Sequence, residues 1–176
     1  MFVYGLSETI PGETYRMSHV TFNPQEPHSR WRNIVLATAV AGTLDIIAAM
    51  LLVTSRGGNP VNAIAAVASG IYGREAFSGA VWYVVLGLAL HYLIMATFVV
   101  VFDGVQGSRK DRFRANLACN ALGAGVAIYL VMNLLVIPLS NAPFKPQSGA
   151  AEIAILILIH IACVGVPISS IWQVRQ

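Results

Sequence analysis

The sequence predicts an all-α integral membrane protein, a bundle of four transmembrane helices with one short interfacial or re-entrant helix. Three observations predict it. Of the 176 residues 56% are apolar and only 11% are charged, whereas a soluble domain carries about a quarter charged residues. The charges gather in connecting stretches and leave apolar runs of 21 to 25 residues between them, enough for a helix to cross about 30 Å of hydrocarbon. Basic residues flank those runs as topology signals do. The net charge of +3 is therefore read as a membrane feature, with the lipid bilayer and no nucleic acid as partner.

Residues 1–31 read as a polar tail. Glu8, Pro11, Glu13, Arg16, Glu26, Pro27 and Arg30 interrupt it, and no apolar stretch follows a basic start, so it is no signal peptide. Met17 opens an ordinary lead-in to a first span and is an alternative start. The transmembrane domain then occupies 32–176. Its first span covers 34–54 and carries one charge, Asp45. The run Ser55-Arg56-Gly57-Gly58-Asn59-Pro60 ends it with turn chemistry. Residues 60–77 are too short and too rich in small residues for a span. There Ile64, Val67, Ala68 and Ile71 recur at helical spacing, with Asn59 as N-cap and Pro60 at the first helical position, so an interfacial or re-entrant helix is expected. The second span covers 80–102 and a polar loop follows over 103–114. The third span covers 115–139, ending near Pro138, and the fourth covers 150–172.

Counting basic residues sets the topology. With four spans, Arg16, Arg30, Arg32, Arg109, Lys110, Arg112, Arg114 and Arg175 share one side, against Arg56, Arg74 and Lys145 on the other. Eight against three puts both termini in the cytoplasm. Trp31, Trp82, Tyr83, Phe102, Phe113 and Trp172 stand at span ends, where interfacial anchors belong.

Small residues let helices approach in lipid. Ala37, Ala41, Asp45 and Ala49 form such a stripe on the first span, Asn116, Asn120, Gly123 and Ala127 on the third, and Gly87 lies one turn from His91 on the second. Depth singles out three ionisable residues. Asp45 is twelfth of 21 in its span, His91 twelfth of 23 and His160 eleventh of 23, so three helices bring them to one level. An isolated Asp at that depth costs roughly 2.5–3.5 kcal/mol on insertion scales and is expected to be paired or uncharged. A histidine partner could share its proton and pass it on; a hydrogen bond to Asn120 is the plainer arrangement. Pro167 withholds a donor from the carbonyl of Cys163, one turn from His160, and bends the helix. Glu152 reads as an acid at a helix N-terminus, Asn133 as packing glue, Arg74 and Glu75 as a surface pair, and Cys119 and Cys163 as small apolar fillers rather than a disulfide.

Several functions stay open on these residues. One is a proton or small-solute site formed by Asp45, His91, His160 and Asn120. Another is an accessory or assembly subunit of a larger membrane complex, or a self-associating protein. A third is b-haem held by His91 and His160 as axial ligands, and a fourth a zinc site from Asp45, His91, His160 and Cys163. No P-loop, dinucleotide fingerprint, HExxH or paired CxxC occurs, and no nucleophile–base constellation can be drawn, so an enzyme is not the expectation.

The second half carries a resemblance. A His-centred span, LGLALHYLIMATFVVVF, precedes a glycine-containing span ending in VIPLSNAPF, and PQSGAAEIAILILIH opens the last span with an acid and places a His within it. Over about residues 80–170 this resembles the four-helix bacterial inner-membrane proteins of the YagU type. The resemblance implies a bacterial inner membrane and a loose link to acid response, with Glu152, His91 and His160 as the positions to watch.

Overall fold

A computed structural model of the protein describes residues 27–107 and 116–173. Among the described residues there are five helices and no strand: α1 (Pro27–Ser55), α2 (Val61–Tyr72), α3 (Val81–Gly107), α4 (Leu117–Leu139) and α5 (Ala150–Gln173). All but α2 are long and apolar enough to span, with apolar segments of 23 to 26 residues. At 1.5 Å per residue these reach about 35–39 Å, beyond the roughly 30 Å of a hydrocarbon core. Only 22–28% of the most apolar window in each is buried; Val35 and Leu51 on α1, Leu93 on α3, Leu134 on α4 and Leu158 on α5 face outward. Apolar surface this continuous is unsuited to water. Lipid accepts it, because each helix satisfies its own backbone. The chain is a multi-pass membrane protein.

Two boundaries differ from the sequence expectation for one physical reason. The tail expected to reach residue 31 is already helical at Pro27, and the stretch expected as loop from Asp103 is still helical through Gly107. The charges that suggested loop are instead paired across helices. Arg30 Nε donates to Asp103 Oδ2 at 2.6 Å, and the Asp103 carboxylate is buried. The rest of the expected tail and loop, with Met17, lies outside the described residues.

The link after α1 follows its sequence. Gly57 has φ +77°, the Gly58 N–H donates to Val53 O at 3.0 Å and the Gly57 N–H to Thr54 O at 2.9 Å, the paired bonds of a glycine-terminated helix. Asn59 Oδ1 then accepts from the Val61 N–H at 3.0 Å and starts α2. Gly87 meets Ile64 of α2 so closely that a Cβ would collide with the Ile64 backbone. Tyr72, eight residues on, packs edge-on against Tyr83. The contact thus advances about 12 Å along α2 but about 6 Å along α3, so α2 crosses α3 obliquely and dips below the end of the spans. A 3₁₀ turn, Gly73–Phe77, follows. Arg74 and Glu75 form no ion pair with each other among the described residues; Glu75 accepts from the Tyr83 hydroxyl at 3.4 Å instead.

α1 is the middle of the bundle, with α2 and α3 on one side and α5 on the other, and α4 packs on α5. Ala37 and Ala41 are wholly buried within a core that includes Met95, Val99, Ile128, Val164 and Ile168. The expected stripe on α4 is corrected. Its contact face is Ala121 and Gly125, not Gly123 and Ala127, which are exposed. A Cβ on Gly125 would lie 2.6 Å from the Ile161 backbone, and one on Gly165 would strike the Ala121 carbonyl. Close backbone approach thus selects Gly125, two residues from the expected Gly123 and on nearly the opposite face of α4.

Pro138 and Pro167 are accommodated alike. A five-residue π turn ends two residues before each, at Met132–Val136 and Ile161–Gly165. Ile137 N–H donates to Met132 O and Val166 N–H to Ile161 O, so the ladder widens where the proline ring would otherwise crowd it.

Candidate functional site at mid-depth

Asp45, His91 and His160 each stand ten residues from one end of their span: Ser55 for α1, Val81 for α3 and Ala150 for α5. Those three ends lie on the side opposite the chain termini. Ten residues rise about 15 Å, which is mid-depth in a core about 30 Å thick.

At that level the three are neighbours of different things. His91 is buried and its Nε2–H donates to the Gly42 carbonyl at 2.9 Å, which ties α3 to α1. The approach depends on Gly42, where a Cβ would stand 2.8 Å from the Tyr92 ring. Next to it, Tyr92 Oη and Thr43 Oγ1 share a hydrogen bond of 2.8 Å. His160 is half-buried, directs Nδ1–H to its own helix at Leu156 O, 2.7 Å away, and stacks edge-on against Tyr129 of α4. No hydrogen bond joins either histidine to Asp45.

Asp45 is half-buried and makes no hydrogen bond or ion pair among the described residues. Its electrostatic neighbour is the Cys163 thiol, inside the π turn of α5. Two further polar atoms belong to this region, and sequence reading passed over them. Thr38 Oγ1 on α1 and Ser169 Oγ on α5 are buried without a hydrogen-bond partner among the described residues. Both lie six or seven residues from the Asp45–Cys163 level, about 10 Å toward the side of the termini. Hydroxyls usually escape notice because they bond back to their own helix; these do not. On the opposite side Arg56 and Glu152 approach to 3.5 Å, with Glu152 in the first turn of α5 as expected.

Asn120 is elsewhere. It is buried in the wall of a cavity of about 210 Å³ between the ends of α3 and α4 nearest the termini, alongside Phe98, Phe102, Gln106 and Ile128. Asn133 donates from Nδ2 to Tyr129 O at 2.9 Å, bracing the π turn of α4 rather than gluing helices. Cys119 and Cys163 are both free.

These positions decide what the site can hold. Axial haem ligation needs a nitrogen from each histidine turned toward one iron. His91 spends Nε2 on α1, and His160 lies against α4, so the pair does not fit haem. A zinc set would need Asp45, both histidines and Cys163 converging; no group of three or more metal-ligating side chains occurs among the described residues. What remains is a carboxyl, a thiol and two unsatisfied hydroxyls along α1 and α5. Comparison with protein-family models, curated proteins and solved structures finds no match to this chain.

Proposed function

We propose that this is a small bacterial inner-membrane protein, both termini cytoplasmic, that handles protons or a small solute at Asp45. The observation that carries the reading is the isolation of that carboxyl. It stands at mid-depth with no hydrogen bond or ion pair among the described residues, where an ionisable residue is costly and marks a pathway more often than a fold. The unpartnered hydroxyls of Thr38 and Ser169 supply the next polar stations toward the cytoplasm, and Arg56 with Glu152 the polar end outside. His91 ties α3 to α1 at this level through the Gly42 carbonyl, while His160 bonds back to its own helix. The resemblance to the YagU type and the excess of basic residues at the termini support the location and orientation.

An accessory role has its own support in the same carboxyl, since an acid without a partner among the described residues suits a donor on another subunit. Reconstitution separates the two. Liposomes containing the protein and a pH-sensitive dye are given a potassium diffusion potential; proton entry above that of empty liposomes is expected, and Asp45→Asn removes it while melting stays unchanged. Entry no faster than in empty liposomes, or undiminished in Asp45→Asn, refutes the proton reading. Loss of a co-purifying subunit in Asp45→Asn would favour the accessory one.

A further inference from the structure

The bundle is packed unevenly along its length. On the side of the termini α1 and α5 meet closely: Ile34, Ala37 and Ala41 of α1 and Val164 and Ile168 of α5 are at most 6% exposed. Toward the opposite side the two helices part. There α1 packs on the π turn of α5 and the segment after it but hardly on Ala150–His160, and none of those eleven residues is fully buried. The positions that carry the packed face onward are Ala48 and Leu52 on α1 and Ile153 and Ile157 on α5. All four are half-buried, whereas Leu51 and Leu158 beside them face lipid at 64% exposed. A face that points inward and yet stays accessible has open space before it.

Two links bridge the rim of that space. Arg56 reaches Glu152 at 3.5 Å, joining the end of α1 to the start of α5. Asn141, just beyond α4, donates to Gly70 O and Ile71 O of α2, each at 2.9 Å. At the inner end stands Asp45, half-buried, where the close packing of α1 begins. We infer that this space is a water-filled vestibule that opens on the side opposite the termini, ends at Asp45, and admits small cations, hydronium included, from that side alone. The contents follow from chemistry. A carboxyl at membrane depth needs a protein partner or water, and Asp45 has no hydrogen bond or ion pair among the described residues. Water occupies a space that offers it polar partners, here Asp45 at the floor with Arg56 and Glu152 at the rim. The rim charges offset one another, so the floor carboxylate sets the sign of the field, and low-dielectric walls focus it to concentrate cations. From the other side the way is filled by the core around Ala37, Ala41 and Val164. The inference rests on Asp45 being the working site proposed above and assigns the side from which that site is reached.

The test is thiol labelling of the full chain in liposomes, in a background carrying Cys119→Ala and Cys163→Ala. A protease-removable tag at the N-terminus reports which side of each preparation faces the reagent. Ala48→Cys and Ile157→Cys should react with a membrane-impermeant cationic methanethiosulfonate applied opposite the termini, and not with the same reagent applied on the side of the termini. Leu51→Cys, in lipid, and Val164→Cys, in the packed core, should react from neither side. At Ala48→Cys the cationic reagent should react about tenfold faster than an anionic one, each taken relative to its rate with a free thiol in water. Asp45→Asn should bring that preference close to parity. Reaction from the side of the termini, no reaction at Ala48→Cys and Ile157→Cys from either side, or an undiminished preference in Asp45→Asn would each overturn the inference. Melting equal to that of the background protein shows that each variant is folded. Labelling reads access and the proton assay reads flux, so the vestibule and the proton reading can each fail without the other.

Discussion

Replacing Gly125 with Ala should weaken the protein by forcing α4 and α5 apart. The added methyl would stand 2.6 Å from Ile161 Cα and N, and a backbone cannot rotate away as a side chain can. Relief of about 1 Å or more requires the helices to separate, and overpacking of a tight interface costs typically 1–3 kcal/mol. Alanine also favours the helix by up to ~1 kcal/mol over glycine, which hides part of the loss if the parent is the reference. Gly123→Ala supplies the proper reference. It carries the same propensity gain on the same helix, and its methyl meets open space. The difference between the two variants isolates the clash, about 1–3 kcal/mol with Gly125→Ala the weaker. Reversible unfolding from bicelles by increasing SDS, followed by tryptophan fluorescence, measures it. Equality within ~0.5 kcal/mol, the ordinary scatter for substitutions away from packing contacts, would show that α4 and α5 do not approach as closely as Gly125 and Gly165 require.

Other outcomes follow from single contacts. Arg30→Ala should cost about 1–2 kcal/mol in the same assay, because Asp103 is left buried with less compensation, though Arg30 itself is largely exposed and the full penalty of a buried pair does not apply. Tyr92→Phe removes the hydrogen bond to Thr43 and should cost only ~0.6 kcal/mol, the average for such bonds between membrane helices. Asn141 donates from its backbone N–H to Gly70 O and from Nδ2 to Ile71 O, each at 2.9 Å. Asn141→Ala should therefore raise hydrogen exchange at the C-terminal turn of α2 while leaving exchange in α1 unchanged. The purified protein, oxidised or dithionite-reduced, should show no Soret band, since His91 Nε2 is engaged with α1.

Four spans and a short fifth helix were legible because lipid imposes length and apolarity on each crossing segment, and both are local properties of sequence. The terminal turn at Gly57–Gly58 and the turn at Asn59 that leads into α2 were legible because such turns use neighbours in sequence, although α2 itself begins at Val61. The helical state of Pro27–Arg30 and of Asp103–Gly107 was not, because Arg30 and Asp103, which pair, lie 73 residues apart and read as loop when taken singly. The face of α4 was missed for a related reason. Gly123 and Gly125 look alike in sequence, and only the neighbour across the interface distinguishes the glycine that admits Ile161 from the one that opens a cavity.

The candidate site divides the same way. Depth follows from counting along each span, so the common level of Asp45, His91 and His160 could be read directly. Bearing around each helix axis could not, and bearing decides chemistry. It turns His91 toward a carbonyl of α1, His160 toward its own helix and Tyr129, and leaves Asp45 beside Cys163. His91 fastens α3 to α1 through the Gly42 carbonyl, and His160 donates back to Leu156 O of its own helix. The Asp45 carboxyl makes no such bond among the described residues. The proton reading therefore rests on Asp45 alone, and replacing either histidine by a residue that keeps its hydrogen bond should alter stability before it alters flux. Under that reading, His91→Gln leaves proton entry within about twofold of the parent while Asp45→Asn abolishes it. The reverse order would return the histidines to the centre of the mechanism.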